Sequence, residues 1–372
     1  QDEQAYDHLE AIADGFLIHD RPIHMRTDDS VVRAAFGREY IARRSRGYAP
    51  DAIPLPFDVQ PVLAAGPELK NTFTLARDRY AFMSHHIGDM ENFETLQSFE
   101  SGIGHFERLF KVTPRVIACD LHPNYLASRY AEQRACEENL PLVKVQHHHA
   151  HLAACLADNS WPIDGPGVIG VILDGTGLGA DGSIWGGEVL IGGYQGYQRR
   201  LHLQNMPLPG GDAAIRHPAR TSLAYLWKAG LDVSANLPPV LSLPPAERQI
   251  LLHQLEQNIN TMPTSSVGRL FDAVSSLIGV CHNAGYEGQA AIELENIADA
   301  AETGCYDFPT QENEILLAPV LRAVVEDVKN NLPAGVISAR FHNGITEMIL
   351  RVCDQIRQES DINTVALSGG VW

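Results

Sequence analysis

Four histidines fall within five positions, His147-His148-His149-Ala150-His151. On a helix that begins near His147, residues four apart share a face. His147 and His151 could then grip one divalent metal ion. His148 and His149 point elsewhere on such a helix and are not expected as ligands. Asp174 is the candidate third ligand, because it ends an apolar run, Gly167–Leu173, that reads as a buried strand. Two imidazoles with carboxylates suit several ions, iron and zinc among them. The competing reading is a solvated or capped histidine cluster.

Asp174 opens a glycine-rich string, Asp174-Gly175-Thr176-Gly177-Leu178-Gly179. Glycines allow tight turns and let backbone N–H groups approach phosphate oxygens. Gly175, Thr176 and Gly177 are therefore candidates for phosphate or nucleotide contact; a plain hairpin loop is the alternative. Asp272, in GRLFDAV, and Glu287, in YEGQAA, could accept bonds from ribose hydroxyls, or Glu287 could serve only the dipole of a helix start. Gly369 and Gly370, in the terminal SGGVW, could present N–H groups to a phosphate or form only a turn.

The common alternatives leave no trace. No GxxxxGK[ST], GxSxG, HExxH or helix-opening GxGxxG occurs. The six cysteines form no CxxC pair, so a cysteine-based zinc ribbon is absent and buried free thiols in a reducing compartment are expected. A charge of −18 over 372 residues argues against a nucleic-acid footprint. No apolar run approaches the ~20 residues that span a bilayer, and residues 1–14 are acidic and lack the apolar h-region of a signal-peptide pattern. Cytoplasm is the expected compartment.

The elements that must position these residues follow from periodicity. Residues 59–65, 112–120, 142–145, 167–173, 184–191 and 197–203 read as strands, and 71–75 with 80–83 as a hairpin. Residues 124–139, 148–156, 269–280, 316–329 and 336–358 read as helices. A strand, a glycine turn and a hairpin occur near 59–83 and again near 168–192. This predicts an α/β fold of two lobes with a duplicated sheet, with ligands at the carboxyl ends of strands. Pro50, Pro54, Pro56 and Pro61 predict a stiff extended connector and a boundary near 50–57. The chain starts with Gln1 and stops after the strand-like run 364–367, so a longer polypeptide is expected.

Taken together, HDRPI (19–23), DDSVVR (28–33), ELKNTF (68–73), ACDLHPNY (118–125), VQHHHAHLAA (145–154), LDGTGLGADGSIWGGE (173–188), GRLFDAVSSLIG (268–279), YEGQAAIELE (286–295) and LSGGVW (367–372) resemble the HypF family of carbamoyltransferases, which mature [NiFe] hydrogenases. The resemblance implies the tail of a YrdC-like domain and linker over 1–56. It implies a TsaD-like domain of the actin/sugar-kinase/chaperone-ATPase class over 57–372, with lobes at about 57–164 and 165–372. It further implies that carbamoyl phosphate and ATP give carbamoyl adenylate, and that the carbamoyl group passes to the C-terminal Cys thiol of a HypE-type partner. HypE then dehydrates the product, the source of the cyanide ligands on iron.

By motif match, His147, His151 and Asp174 would hold the metal, with a further family Asp beyond Trp372. The nucleotide would lie along Gly175 to Gly177, Asp272, Glu287, Gly369 and Gly370. Lys70 and Asn71 would be catalytic contacts to phosphate or the carbamoyl group, or simply a solvated loop. Arg38, Arg43, Arg44 and Arg46 could hold phosphates for the YrdC-like half, and Arg216 with Arg220 could line the crevice. The competing functions are a tRNA-modifying TsaD-like enzyme, a small-molecule O-carbamoyltransferase, and a non-catalytic nucleotide- or metal-binding module that docks HypE.

Overall fold

The computed structural model describes every residue except Gln1, His19, Pro22, Phe36 and Ala235, so the His19 and Pro22 of the HDRPI string lie outside the described residues. The chain forms two compact units, residues 1–144 and 145–372.

The first unit holds α1 (Asp2–Leu9), β1 (Val31–Ala35), β2 (Arg38–Arg43), β3 (Ile53–Ala64), β4 (Thr74–Met83), α2 (Phe93–Phe110), β5 (Val116–Asp120), α3 (Leu126–Glu137) and β6 (Leu142–Val145). Strands β1 and β2 form an antiparallel ribbon, and four strands make a sheet in the order β4-β3-β5-β6. The proline-rich segment is not a free connector: Pro54, Pro56 and Pro61 lie inside β3. Pro54 pairs only with β4, the register breaks between Pro54 and Val59, and β5 joins only from Val62. The prolines thus sit where few ladder bonds need their missing N–H, the usual place for proline in a sheet. The hairpin expected at 71–83 is instead one long strand, β4, whose partner is β3. Asn92 caps α2 by accepting a bond from the Thr95 N–H at 2.9 Å. Phe99, Gly102, Ile103 and Phe106 then recur on its buried face. Phe99 and Phe106 meet Phe73 edge-on, at centroid distances of 5.8 and 5.1 Å.

The second unit holds α4 (His147–Asp158), β7 (Val168–Leu173), β8 (Gly187–Gly193), β9 (Gly196–Leu203), β10 (Met206–Pro209), α5 (Asp212–Arg216), α6 (Pro218–Lys228), α7 (Pro238–Ser242), α8 (Pro245–Gln257), β11 (Thr261–Thr264), α9 (Val267–Leu277), α10 (Gln289–Asn296), β12 (Thr310–Gln311), β13 (Glu314–Ile315), α11 (Ala318–Lys329), α12 (Ala334–Ser360) and β14 (Val365–Ser368). Its six-stranded mixed sheet runs β12-β13-β9-β8-β7-β14, and β10 pairs with β11 apart from it. All six residues of β7 are buried, as an unbroken apolar run demands when both faces are covered. Ile169, Val171 and Leu173 join the main core with Leu223, Phe271 and Phe341. Val168 and Ile172 turn the other way, onto Leu152 and Leu156 of α4. That packing places α4 in the second compact unit, which begins at Val145.

The repeated pattern has a counterpart in topology. In each unit a strand (β3 or β7) pairs antiparallel with its successor (β4 or β8) and parallel with a later strand (β5 or β14) on its other side. The α/β class with mixed sheets is as expected. The six cysteines are free, but only Cys119 and Cys281 are buried, while Cys136 and Cys305 are exposed.

Candidate metal centre

Helix α4 begins at His147, so His147 and His151 share a face and their rings lie 5.0 Å apart. Asp174 leaves the end of β7 beside them. Its Oδ2 stands 3.2 Å from His147 Nε2 and 3.3 Å from His151 Nε2. The other oxygen, Oδ1, accepts bonds from the Gly175 N–H at 2.8 Å and the Gly370 N–H at 3.3 Å. The carboxylate is thus turned so that one oxygen is held by backbone and the other faces both imidazoles. Burial pushes the Asp174 carboxyl up, but the imidazoles of His147 and His151 outweigh this and hold it well below the usual carboxylate range.

The donor set fits a divalent metal. Metal–donor bonds of about 2.0–2.2 Å in a tetrahedral centre place neighbouring donors roughly 3.3–3.6 Å apart; Asp174 Oδ2 stands 3.2 and 3.3 Å from the two imidazole nitrogens, and all three donors lie within 4.8 Å of one another. Among the described residues, this trio is the cluster of three or more His, Cys, Asp or Glu whose ligand atoms all lie within 4.8 Å of one another. Ser368, at the end of β14, stands 3.4 Å from the outer ring nitrogen of His151, where such a partner orients a ligating imidazole.

The other histidines of the run serve the fold. The His149 Nε2–H donates to the Gly193 carbonyl at 2.8 Å. His148 is fully buried, and burial pulls its imidazole down to about 4. Its Nε2 has no hydrogen-bond partner.

The segment after Asp174 folds back on itself. The Asp174 N–H reaches the Gly186 carbonyl at 2.7 Å, and the Trp185 N–H reaches that of Gly177 at 2.8 Å. Ser266, which caps α9, bonds the carbonyls of Asp174 and Gly175 at 3.0 and 2.8 Å. Gly175, Gly370 and the start of α9 therefore surround Asp174. Gly369 turns the chain at φ +112°, where a side chain would strike the Leu173 carbonyl. Thr176 is half-buried. Gly177 is spoken for by the protein itself: a β-carbon there would meet His147 and His148, whereas at Gly175 the nearest atom is Arg269 Nη2, 3.5 Å away.

Asp272 is buried on α9, with Oδ2 2.6 Å from Arg269 Nη1. Burial pushes its carboxyl up against the pull of that guanidinium. Glu287 is exposed in the turn before α10. Lys70 and Asn71 belong to the other unit. Lys70 is exposed, and its N–H bonds Asp89 at 2.8 Å. Asn71 is fully buried, and its amide nitrogen bonds the carbonyls of Ala65 and Pro67 at 3.0 and 2.6 Å, which makes it a fastener of its turn. Of the arginines, Arg44 bonds the Tyr48 and Asp51 carbonyls, Arg46 pairs with Asp29, and Arg220 lies 3.8 Å from Glu247.

Sequence reasoning missed the supports. Gln146 caps α4, accepting a bond from the His149 N–H at 2.9 Å. Glu188, fully buried, pairs with Arg199 Nε at 2.6 Å and also receives the Ser265 hydroxyl. Trp185 lies 3.9 Å from the same guanidinium. The WGGE string was the visible signal for the last two.

An α/β domain with a His-His-Asp centre at the end of a fully buried strand, β7, is the class defined here. A family described as HypF Kae1-like domain matches residues 58–158, and one described as carbamoyltransferase, Kae1-like domain, second subdomain, matches residues 170–372. The carbamoyltransferase HypF of Rhodobacter capsulatus is 39% identical over 376 residues, which cover 100% of this chain and 49% of that protein. A carbamoyltransferase HypF homolog of Cupriavidus necator is 32% identical over 333 residues, covering 86% of this chain and 83% of the relative. The crystal structure of a full-length HypF in a phosphate- and nucleotide-bound form matches with a TM-score of 0.92 at 39% identity, over 100% of this chain and 58% of that one. The chain belongs to the HypF carbamoyltransferase family. It spans about half the length of the full HypF relatives.

Proposed function

We propose that this chain carries the carbamoyl-transfer centre of a HypF protein. In this reading carbamoyl phosphate and ATP supply carbamoyl adenylate, and the acceptor is the C-terminal Cys of a HypE-type partner. The thiolate attacks the carbamoyl carbon, a C–S bond forms, the C–O bond to the phosphate breaks, and AMP leaves. The thiol proton passes to solvent. The observation that carries the reading is the orientation of Asp174, with Oδ1 held by the N–H groups of Gly175 and Gly370 and Oδ2 turned toward His147 and His151.

A divalent metal, iron or zinc, held by those three residues would supply a positive charge that polarises a carbonyl and stabilises phosphate oxygens. The chain's own residues do the rest. Gly175, whose N–H is held by Asp174 Oδ1, carries no side chain between the backbone and Arg269 Nη2, and there an anionic group would approach the guanidinium. Arg269 adds positive charge behind it. Glu287, exposed beside α10, and Asp272, whose buried Oδ2 lies beside Arg269 without a hydrogen-bond partner, are the ribose candidates. The maturation of a [NiFe] hydrogenase and a cytoplasmic setting belong to the same proposal. Among the described residues no helix is long and apolar enough to cross a membrane.

Calorimetric titration with ATP, with and without Zn²⁺ or Fe²⁺, tests the site. Metal-dependent binding that His147→Ala abolishes is expected. Nucleotide binding indifferent to both metal and substitution would overturn a shared centre. Transfer of labelled carbamoyl from carbamoyl adenylate to a HypE C-terminal peptide, performed with the full-length protein, tests the reaction.

A further inference from the structure

The ligand helix α4 and the turn that follows Asp174 come from separate stretches of chain, yet their donors must meet to within a few tenths of an ångström. One side chain bridges them. Gln146 is 7% exposed, and its amide reaches three ways. Its Oε1 accepts the His149 N–H at 2.9 Å. Its Nε2 donates to the Leu178 carbonyl at 3.2 Å and faces His148 Nδ1 at 3.0 Å. The arrangement admits one orientation of the amide. The oxygen must face the N–H donor, and the NH2 must face the carbonyl, which only accepts. His148 Nδ1 is therefore an acceptor, with the ring proton on Nε2.

We infer that Gln146 is a positioning residue of the metal centre, holding the first turn of α4 against the 174–186 turn so that His147 reaches Asp174. The inference rests on the metal-centre reading above. Capping alone does not explain the choice of residue. Asn, Asp, Ser and Thr are the preferred caps, and none is long enough to satisfy the helix and reach Leu178 as well. Gln gives up capping quality for that reach. The contact falls one residue from His147 and one residue from Gly177, where an added β-carbon would come within 3.1 Å of His147 Cβ. A slip of α4 along this seam moves His147 directly.

Two substitutions separate the roles. Gln146→Asn keeps a good cap but shortens the bridge. Gln146→Glu keeps the accepting oxygen but sets a carboxylate oxygen against the Leu178 carbonyl and the His148 Nδ1 lone pair. Both are titrated with Co²⁺, reading the visible d–d bands and the affinity, alongside His147→Ala and a melting curve. Amide exchange at Leu178 and Gly179 is followed in the metal-free proteins. The expected result is a Co²⁺ affinity about 10-fold weaker in both Gln146 variants, the low end of the about 10–100-fold seen when a group bonded to a ligand is lost, since Gln146 acts through the helix rather than on a ligand. Altered d–d bands, faster exchange at the turn, and a melting point for Gln146→Asn close to that of the parent complete the expectation. Parental affinity, bands and exchange in Gln146→Asn would overturn the positioning role. If His147→Ala nevertheless loses the metal, the centre itself stands. If His147→Ala binds Co²⁺ as the parent does, the centre and the positioning role fall together.

Discussion

The imidazole of His148 occupies the space in which a side chain at Gly177 would stand. A β-carbon on Gly177 would come within 2.5 Å of His148 Cε1 and 3.1 Å of His147 Cβ. A glycine inside a phosphate-loop-like string is thus required here by the protein's own histidines. Gly177→Ala should push α4 away from Asp174. We expect a destabilisation of about 1–3 kcal/mol, as for other overpacked sites, together with weakened Co²⁺ binding. Urea unfolding and a Co²⁺ titration check both; unchanged affinity would show that α4 yields without moving His147.

Glu188 and Arg199 form an ion pair behind the same turn, and the Glu188 side chain is fully buried. Its carboxylate also takes the N–H groups of Gly186 and Gly187 at 3.1 and 3.3 Å. Removing one member of a buried pair leaves the other uncompensated and costs about 3–5 kcal/mol. Arg199 keeps Asp181 and Trp185 as neighbours, so Glu188→Ala belongs near the lower end, about 3 kcal/mol. A shift of the urea midpoint at unchanged slope is the measurement, and a loss under about 1 kcal/mol would show the pair to be dispensable.

His148 makes the metal-free protein sensitive to acid. Burial holds its imidazole at about 4 in the folded chain, against about 6.5 when exposed. Between those values the unfolded chain takes up a proton that the folded chain refuses. Stability is therefore complete above about pH 6.5, falls as pH drops toward 4, and levels below that, a loss of roughly 3 kcal/mol from this group. Urea unfolding in the presence of a chelator at pH 7 and pH 5 reads the slope. His148→Gln should flatten it; an equal slope in that variant would assign the acid sensitivity to other groups.

Much of the site was legible before folding was considered. The four-residue spacing of His147 and His151 needs only a helix, and α4 begins where the spacing requires. The apolar run 167–173 needs only burial on both sides to become β7. Both signals are local, so periodicity carries them. The prolines of 54–61 misled because proline reads as a breaker wherever the pairing partner is unknown. Whether a ladder bond is missed depends on β4 and β5, which arrive later in the chain.

What the sequence determined by itself is the chemistry available: two imidazoles on one helical face, a carboxylate at the end of a buried strand, and glycines able to turn sharply beside it. What only the tertiary structure decided is what each of these groups faces. The Asn71 amide nitrogen is bonded within its own turn, Asp272 lies against Arg269, and the space beside Gly177 is filled by the histidine rings. Gln146 gains its place through Leu178, thirty-two residues away. Hydrogen bonds act over about 3 Å, so partners distant in sequence are settled only once the chain has packed.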